Sequence, residues 1–366
     1  MKVPFVNIGL QHRQIKDEML NLVSGLLDTG QFILGEELVK FEHSFAQLCG
    51  TKYALGVANG TDALFLSLKA LGIGKDDEVI TAPNSFLASA SSIFLAGATP
   101  VFADVRSDFN LDPEKVRKAI SPKTKAIMPV HLTGRPADME SILAIAREFN
   151  LAVVEDCAQA VGATYNDRPV GSFGNTGCFS LHPLKNLSAC GDGGVITTSD
   201  DQLYAQLVKA RNHGLRNRDE CEFWSYNSRL DNLQAALLNV KLKRLPEWTA
   251  RRREIASYYQ DRFSGLDIIL PVDKPAEKAV YHTFIIQTTR RDELKDFLAN
   301  REIDSKIHYP IPIHLQDAAK SLGYKNGDFP ETESQTGKIL SLPVFPELSD
   351  LQVEYVADCV CNFFKK

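Results

Sequence analysis

No two of the seven cysteines (Cys49, Cys157, Cys178, Cys190, Cys221, Cys359 and Cys361) stand as a CxxC pair, so a zinc knuckle has no support. Their number is odd and most lie in apolar runs, which reads most simply as free thiols in a reducing, intracellular setting. Basic residues are not in excess. Lys and Arg total 41 against 46 Asp and Glu, a net charge of −5, which argues against a nucleic-acid binder driven by phosphate neutralisation. The opening MKVPFVNIGLQHRQ lacks an apolar signal core, and no run is long enough to span a bilayer. A cytoplasmic, membrane-free protein is the expectation. There is no GxGxxG and no Walker loop, so dinucleotide and P-loop readings lack their signatures. There is no internal repeat and no low-complexity stretch. What remains is an ordinary globular composition, 44% hydrophobic and 24% charged over 366 residues, long enough for two domains.

Apolar spacing predicts helices over Ile15–Leu27 and Glu36–Leu48. From Tyr53 to Tyr165 short apolar runs alternate with helical patterns. Strands are expected at Tyr53–Val57, Glu78–Thr81, Thr99–Ala103, Ala126–Val130 and Leu151–Val154. Helices are expected between them, at Asp62–Leu71, Phe86–Leu95, Pro113–Ile120 and Met139–Phe149. Continuously apolar strands separated by helices imply an α/β fold with a mostly parallel sheet covered on both faces. Helices at Asp201–His213, Arg229–Leu245 and Pro246–Phe263 follow. Strand-like Ile268–Thr289 and Ser305–His308, with helices at Arg291–Asn300 and Leu351–Phe364, read as a smaller α+β domain. The division is residues 1–249 for a large domain with an N-terminal arm, and 250–366 for the small one.

In open parallel sheets ligands bind beyond the carboxyl ends of the strands, so the residues there carry the functional reading. Gly60-Thr61-Asp62 opens a helix after a strand, where glycine lets an anion approach and the free N–H groups face it. A plain helix cap explains it equally well. Asp156 ends a buried strand and needs a partner, either an arginine or a protonated ring nitrogen. Phe86 is placed to stack on a planar ring or to fill core. His131 reads as a satisfied structural histidine. Lys185 lies in TGCFSLHPLKNLSACGDGG (Thr176–Gly194), at a strand end and off any helix face; alone, it is an ordinary solvated lysine. Ser180, five residues before it, offers a hydroxyl. Together these groups are compatible with one ligand. Pyridoxal phosphate has a ring nitrogen for a carboxylate, a phosphate for a helix N-terminus and an aldehyde for a lysine.

Ten stretches then carry a resemblance: TGQFILGEELVKFE, GVANGTDAL, DEVITAPNSF, PVFADV, PVHLTG, VVEDCAQAVGA, FSLHPLKNLSACGDGG, YNSRLDNLQAA, HYPIPIHLQ and SLPVFPELSD, from Thr29 to Asp350. The chain resembles the DegT/DnrJ/EryC1/StrS nucleotide-sugar aminotransferases, which have the type I, aspartate aminotransferase-like fold and use pyridoxal 5′-phosphate. The resemblance implies that Lys185 binds the cofactor aldehyde and Asp156 pairs with its ring nitrogen. Gln159 lies near its ring oxygen. Gly60, Thr61, Asp62 and Ser180 surround its phosphate, and Phe86 stacks on its ring. Asn227 reaches the phosphate from the neighbouring subunit of a homodimer with shared active sites. His182, Asn186, His308 and Tyr309 are the candidate sugar contacts, His182 being open to a packing role as well. No metal is implied.

The expected activity transfers an amino group from L-glutamate to a keto group of a dTDP- or UDP-linked sugar, in amino-sugar and surface-polysaccharide (O-antigen, lipopolysaccharide) biosynthesis. Ser225–Trp248 favours C-3 over C-4 amination. His182 departs from that branch, which commonly has tyrosine three positions before the lysine. The alternatives are a pyridoxal phosphate-dependent sugar dehydratase, disfavoured because Lys185 is present, another type I enzyme such as an amino-acid aminotransferase, and a non-catalytic regulator that binds the cofactor. His308–His314 contains no arginine, which suits a neutral sugar better than the carboxylate of an amino-acid substrate.

Overall fold

The computed structural model describes residues 1–365. Two helices lead in, α1 (Ile8–Thr29) and α2 (Glu36–Cys49). Strand–helix alternation then begins with β1 (Tyr53–Val57), α3 (Gly60–Ala70), β2 (Glu78–Thr81), α4 (Leu87–Ala96) and β3 (Thr99–Phe102). It continues through α5 (Pro113–Ala119), β4 (Thr124–Met128), α6 (Met139–Glu148) and β5 (Ala152–Asp156). The short β6 (Thr164–Tyr165) and β7 (Arg168–Pro169) precede β8 (Thr176–Ser180) and β9 (Gly194–Thr198).

Seven strands form one sheet in the order β1-β9-β8-β5-β4-β2-β3. Only β9 runs antiparallel to its neighbours. The remaining pairings are parallel. Strands β5, β8 and β9 are buried along almost their whole length, as a sheet sheathed by helices requires. Helix α3 is buried at six successive positions, Ala63–Leu68. Its N-terminus faces the end of β8.

Helix α7 (Asp201–Ala210) is followed by the 32-residue α8 (Asn232–Phe263). Sequence reasoning divides this region at Pro246, but the helix runs through it. Proline removes one N–H and crowds one carbonyl, and packing on both sides holds the helix together. Before Pro246, Leu237 and Val240 pack with Ile15, Met19 and Trp248. After it, Ile255, Ala256, Tyr259 and Phe263 enter a second core, together with Val3 from the N-terminal arm.

That second core is built on β11 (Phe284–Gln287) paired antiparallel with β12 (Ile339–Leu342), under α9 (Arg291–Ala299) and α11 (Asp350–Phe364). Between them α10 (Pro330–Thr336) is seated on the end of β3, where Asp104 accepts the N–H groups of Glu331 and Thr332, both at 3.0 Å. The long strand expected over Ile268–Thr289 is interrupted. Pro271 and Pro275 cannot donate to a ladder, and a turn closes from Glu277 N–H to the Lys274 carbonyl at 2.8 Å. Only β10 (Glu277–Lys278), paired with β6, and β11 form. Ser305–His308 contributes one bridge, Lys306 to Ser341, before Pro310 and Pro312 divert the chain. All seven cysteines are free thiols.

Candidate active site

Three segments meet at backbone distance where α3 begins. A Cβ on Gly60 would stand 2.7 Å from the Ser180 Cβ, and one on Gly194 would overlap the Asn59 carbonyl. The return of the chain from β8 to β9 therefore lies directly against the α3 N-terminus. Asn59 caps the helix by accepting the Asp62 N–H at 2.8 Å. The N–H groups of Gly60 and Thr61, in the first turn, have no intrahelical acceptor, and the Ser180 side chain lies beside Gly60. This is a cradle for a small anion. Asp62 faces elsewhere: its carboxylate accepts the Ser228 hydroxyl at 2.6 Å.

Beyond the ends of β5 and β4 the sheet presents Asp156 and His131. Asp156 is 4% exposed. Its Oδ2 accepts the Ser89 hydroxyl at 2.7 Å, and its Oδ1 accepts the Ala158 N–H at 3.1 Å. Burial raises its pKa, opposed by the Ser89 and Ala158 hydrogen bonds and by the charges of Lys185 and His131. A carboxylate so placed gains from a nearby cation.

His131 takes part in a different network. Its Nδ1 accepts the Ala137 N–H at 3.0 Å, which leaves Nε2 to donate to Glu155 at 3.1 Å. It is the satisfied structural histidine that its sequence position suggests. His131, Glu155 and Cys157 place potential ligand atoms within 4.8 Å of one another. Both histidine nitrogens and the Glu155 oxygens are already engaged, and burial holds the Cys157 thiol well above its ordinary pKa, so the group reads as a hydrogen-bonded network.

Lys185 sits on a tight loop. Its N–H donates to the His182 carbonyl at 2.8 Å, and the Leu184 N–H donates to His182 Nδ1 at 3.3 Å. Burial lowers the Lys185 pKa to about 8, although Asp156 acts to raise it. A fraction of the amine is therefore neutral near physiological pH. Asn186, next along, donates from Nδ2 to the Val280 carbonyl at 3.1 Å, and its Oδ1 lies 3.3 Å from His282 Nδ1. His282 has its pKa lowered by burial and by the charge of Lys185, which also acts on His308. Burial takes His308 down to about 4, so this imidazole is neutral, and its Nδ1 lies 2.8 Å from the Ser341 hydroxyl.

Tyr309 and Gln159 close the far side. Gln159 Oε1 accepts the Thr133 N–H at 2.7 Å, and its Nε2 donates to the Tyr309 hydroxyl at 3.3 Å. Burial pushes the Tyr309 phenol up to about 12. The Phe86 ring is 5.8 Å from that of Tyr309 and 54% exposed, so one of its surfaces is free. Gly60, Thr61, Phe86, Asp156, Gln159, Ser180, Lys185, Asn186, His308 and Tyr309 thus gather at one end of the sheet. Asn227 does not join them within this chain. It is exposed, on a loop bridged to Asn212.

Sequence reasoning missed Ser89, His282 and the anchoring role of Glu155. Ser89 is one turn along the helix opened by Phe86, and His282 follows an apolar run. Neither carries a local signature.

The DegT/DnrJ/EryC1/StrS aminotransferase family model matches residues 13–361. The chain is 42% identical to a protein of Geobacillus stearothermophilus named a pleiotropic regulatory protein, over 100% of this chain and 99% of the relative. It is also 42% identical to the dTDP-3-amino-3,4,6-trideoxy-alpha-D-glucose transaminase of Streptomyces venezuelae, over 98% of this chain and 95% of the relative. Among solved structures, DesV of S. venezuelae in complex with a ketimine intermediate superposes with a TM-score of 0.98 at 41% identity, covering 100% of this chain and 99% of that one.

Proposed function

The chain belongs to the DegT/DnrJ/EryC1/StrS aminotransferase family, and from that premise we propose that it moves an amino group from L-glutamate to the C-3 keto group of a dTDP- or UDP-linked sugar. The observation that carries the reading is Lys185, a lysine with its pKa lowered to about 8, on the same site as Asp156 and the anion cradle of α3.

Pyridoxal 5′-phosphate fits this donor set. It supplies an electron sink and an amino carrier when bound. The N–H groups of Gly60 and Thr61 and the Ser180 hydroxyl would hold its phosphate. Phe86 would cover a ring face, Gln159 would lie near the ring oxygen, and the buried Asp156 would keep the ring nitrogen protonated. Lys185 would bind the aldehyde. Asp62 is better read as the support of Ser228 than as a phosphate contact, since a second anion there would repel the first.

The Lys185 amine, once free, would be the group that holds and moves the proton in each half of the exchange. Its depressed pKa leaves the amine partly neutral, as a base must be. Neutral His308 and Tyr309, with His182, would face the sugar, whereas Asn186, buried and with both ends of its amide engaged by Val280 and His282, is better read as holding the loop. C-3 is preferred to C-4 on the Ser225–Trp248 stretch, and the S. venezuelae relative is named for a 3-amino sugar.

Asn227 would serve the neighbouring subunit of a homodimer. Supporting this, it directly follows Tyr226 and lies three residues after Trp224, which are 50% and 95% exposed, and exposed aromatics in one patch mark contact surfaces. Two units, 1–249 and 250–366, are supported by the change of hydrophobic core along α8 between Trp248 and Ile255. Among the described residues no helix is long and apolar enough to cross a membrane, and a cytoplasmic role in making surface-polysaccharide amino sugars is part of the same proposal.

The regulator reading has a full-length relative bearing such a name, but a silent protein has no need of a reactive lysine. The test supplies glutamate with dTDP- and UDP-linked 3-keto and 4-keto sugars and follows 2-oxoglutarate. Turnover with a 3-keto sugar, abolished in Lys185→Ala along with the visible absorbance of the bound cofactor, is the expected result. Full transaminase activity in Lys185→Ala would sink the reading.

A further inference from the structure

Lys241, on α8, is 0% exposed and is used by nothing described so far. Its ammonium donates to the Ser188 carbonyl at 2.7 Å, reaches the Ser188 hydroxyl at 3.4 Å, and lies 3.9 Å from Cys190 Sγ. An ammonium has three N–H donors, and all three acceptors belong to Ser188–Cys190. No carboxylate forms an ion pair with it among the described residues, and Cys190 is the one group whose charge acts on its pKa. Two turns earlier on the same helix, Gln234 makes a paired contact. Its Oε1 accepts the Cys190 N–H at 2.8 Å, and its Nε2 donates to the Cys190 carbonyl at 3.1 Å.

A buried ammonium without a counter-charge is costly. An apolar side chain of the same size would fill the space at no such cost. The burial lowers the Lys241 pKa, with Cys190 opposing. What the charge obtains in return is a grip on one short arm of chain, which begins three residues after Lys185 and ends at the Gly191–Gly194 turn. The loop is held a second time at Asn186, the residue next to Lys185, through Val280 and His282. The chain is thus fixed at two points within five residues of Lys185.

We propose that Lys241, assisted by Gln234, is a positioning residue that fixes the backbone of the Lys185 loop, so that the Lys185 amine meets the cofactor aldehyde and the reacting carbon in one place. The proposal rests on Lys185 being the cofactor lysine. It assigns Lys241 no contact with substrate or cofactor. Because a displacement of about 1 Å at a reacting group can cost about a hundredfold in rate, a distant clamp is sufficient to govern turnover.

The experiment compares the wild-type holoenzyme with Lys241→Met, Gln234→Leu and, as a control on the same helix, Lys243→Met, whose side chain is 76% exposed. Borohydride reduction of the wild type followed by peptide mass analysis first asks whether the cofactor is attached at Lys185. Failure there removes the underlying reading and not merely the clamp. With attachment established, apoprotein is given pyridoxal phosphate and the return of visible absorbance is timed well below each melting temperature.

Lys241→Met should slow that return about tenfold and lower kcat by about ten- to a hundredfold, with KM for sugar and glutamate within about threefold. Gln234→Leu should move both in the same direction by less, and Lys243→Met should match the wild type. Should Lys241→Met fail to fold, Gln234→Leu decides alone. A lowered melting temperature with unchanged reconstitution rate and unchanged kcat in the folded variants would overturn the proposal, because that is the pattern of a lysine that only holds the fold together.

Discussion

Glu155 and Asp156 are consecutive carboxylates at the end of one strand, and they serve opposite purposes. Glu155 is 0% exposed and has four donors: His131 Nε2 at 3.1 Å and the N–H groups of Gly171, Phe173 and Gly174 at 2.7–2.8 Å. Asp156, on the other face of the sheet, has two donors, and burial raises its pKa. The alternation of side chains along a strand sends one carboxylate into a loop it organises and the other into a site where its needs are unmet. A buried acid with every lone pair occupied is architecture. One with a deficit is waiting for a ligand.

The largest effect expected from breaking this contrast is on catalysis at Asp156. Asp156→Asn should lower kcat about a thousandfold, about 4 kcal/mol of transition-state stabilisation, through loss of the charge that keeps a ring nitrogen protonated. The melting temperature of the apoprotein should not fall, since a buried charge has been removed. A variant within tenfold of wild type would end the assignment of Asp156 to the cofactor.

Next comes the titration of Lys185. With a pKa near 8 in place of an ordinary value of 10.5, the neutral amine at pH 7.5 should exceed that of an exposed lysine by about two orders of magnitude. The rate of pyridoxal phosphate addition to apoprotein should rise with pH and half-saturate near 8. Asp156 holds this pKa up, so Asp156→Asn should move the half-point lower, whereas Glu155→Gln should leave it in place. The folded pKa lies below the unfolded one, so the native state releases its proton first. Apoprotein stability should therefore climb between about pH 8 and 10.5, and Lys185→Met should lack that climb in a series of thermal melts.

Glu155→Gln should in turn cost about 2 kcal/mol or more of stability, read in denaturant unfolding, while the folded fraction keeps its kcat. If activity collapses and stability does not, the two carboxylates have been given the wrong jobs. The smallest effect is at Ser89→Ala, which removes one donor from Asp156. A loss of about 1 kcal/mol, or roughly fivefold in kcat/KM, is expected, with no change at the Glu155 loop.

Much of this site was legible because it lies at strand ends. Apolar runs located β1, β5 and β8, and reading the residues at their ends reached Gly60, Asp156 and the Lys185 segment. The resemblance then gave those residues their roles. What stayed hidden depends on tertiary approach. Ser89 meets Asp156 across 67 residues of sequence, and His282 meets Asn186 across 96. Glu155 carried no reading of its own, since a sequence shows two adjacent carboxylates but not which one is already satisfied. Pro246 read as a helix boundary because its local preference is strong, and packing of α8 against α1 on one side and the second core on the other overrode it. In the second unit Pro271, Pro275 and Pro310 interrupt apolar runs that otherwise look like strands, because a proline has no N–H to give a ladder.

The approach of Gly60 to Ser180, and of Gly194 to Asn59, has a consequence for interpreting inherited or laboratory variation. In a survey of every single substitution, these two glycines would score with the harshest losses, indistinguishable from Lys185. Yet neither contributes a side chain to any reaction. Adding one methyl group at Gly60 would wedge apart the helix end and the strand end that together shape the anion cradle, and the enzyme would fail as if its chemistry had been deleted. A map of intolerance would thus draw the outline of the cofactor's seat as well as the groups that act on it, and telling the two apart requires asking which lost variants regain activity when the concentration of pyridoxal phosphate is raised.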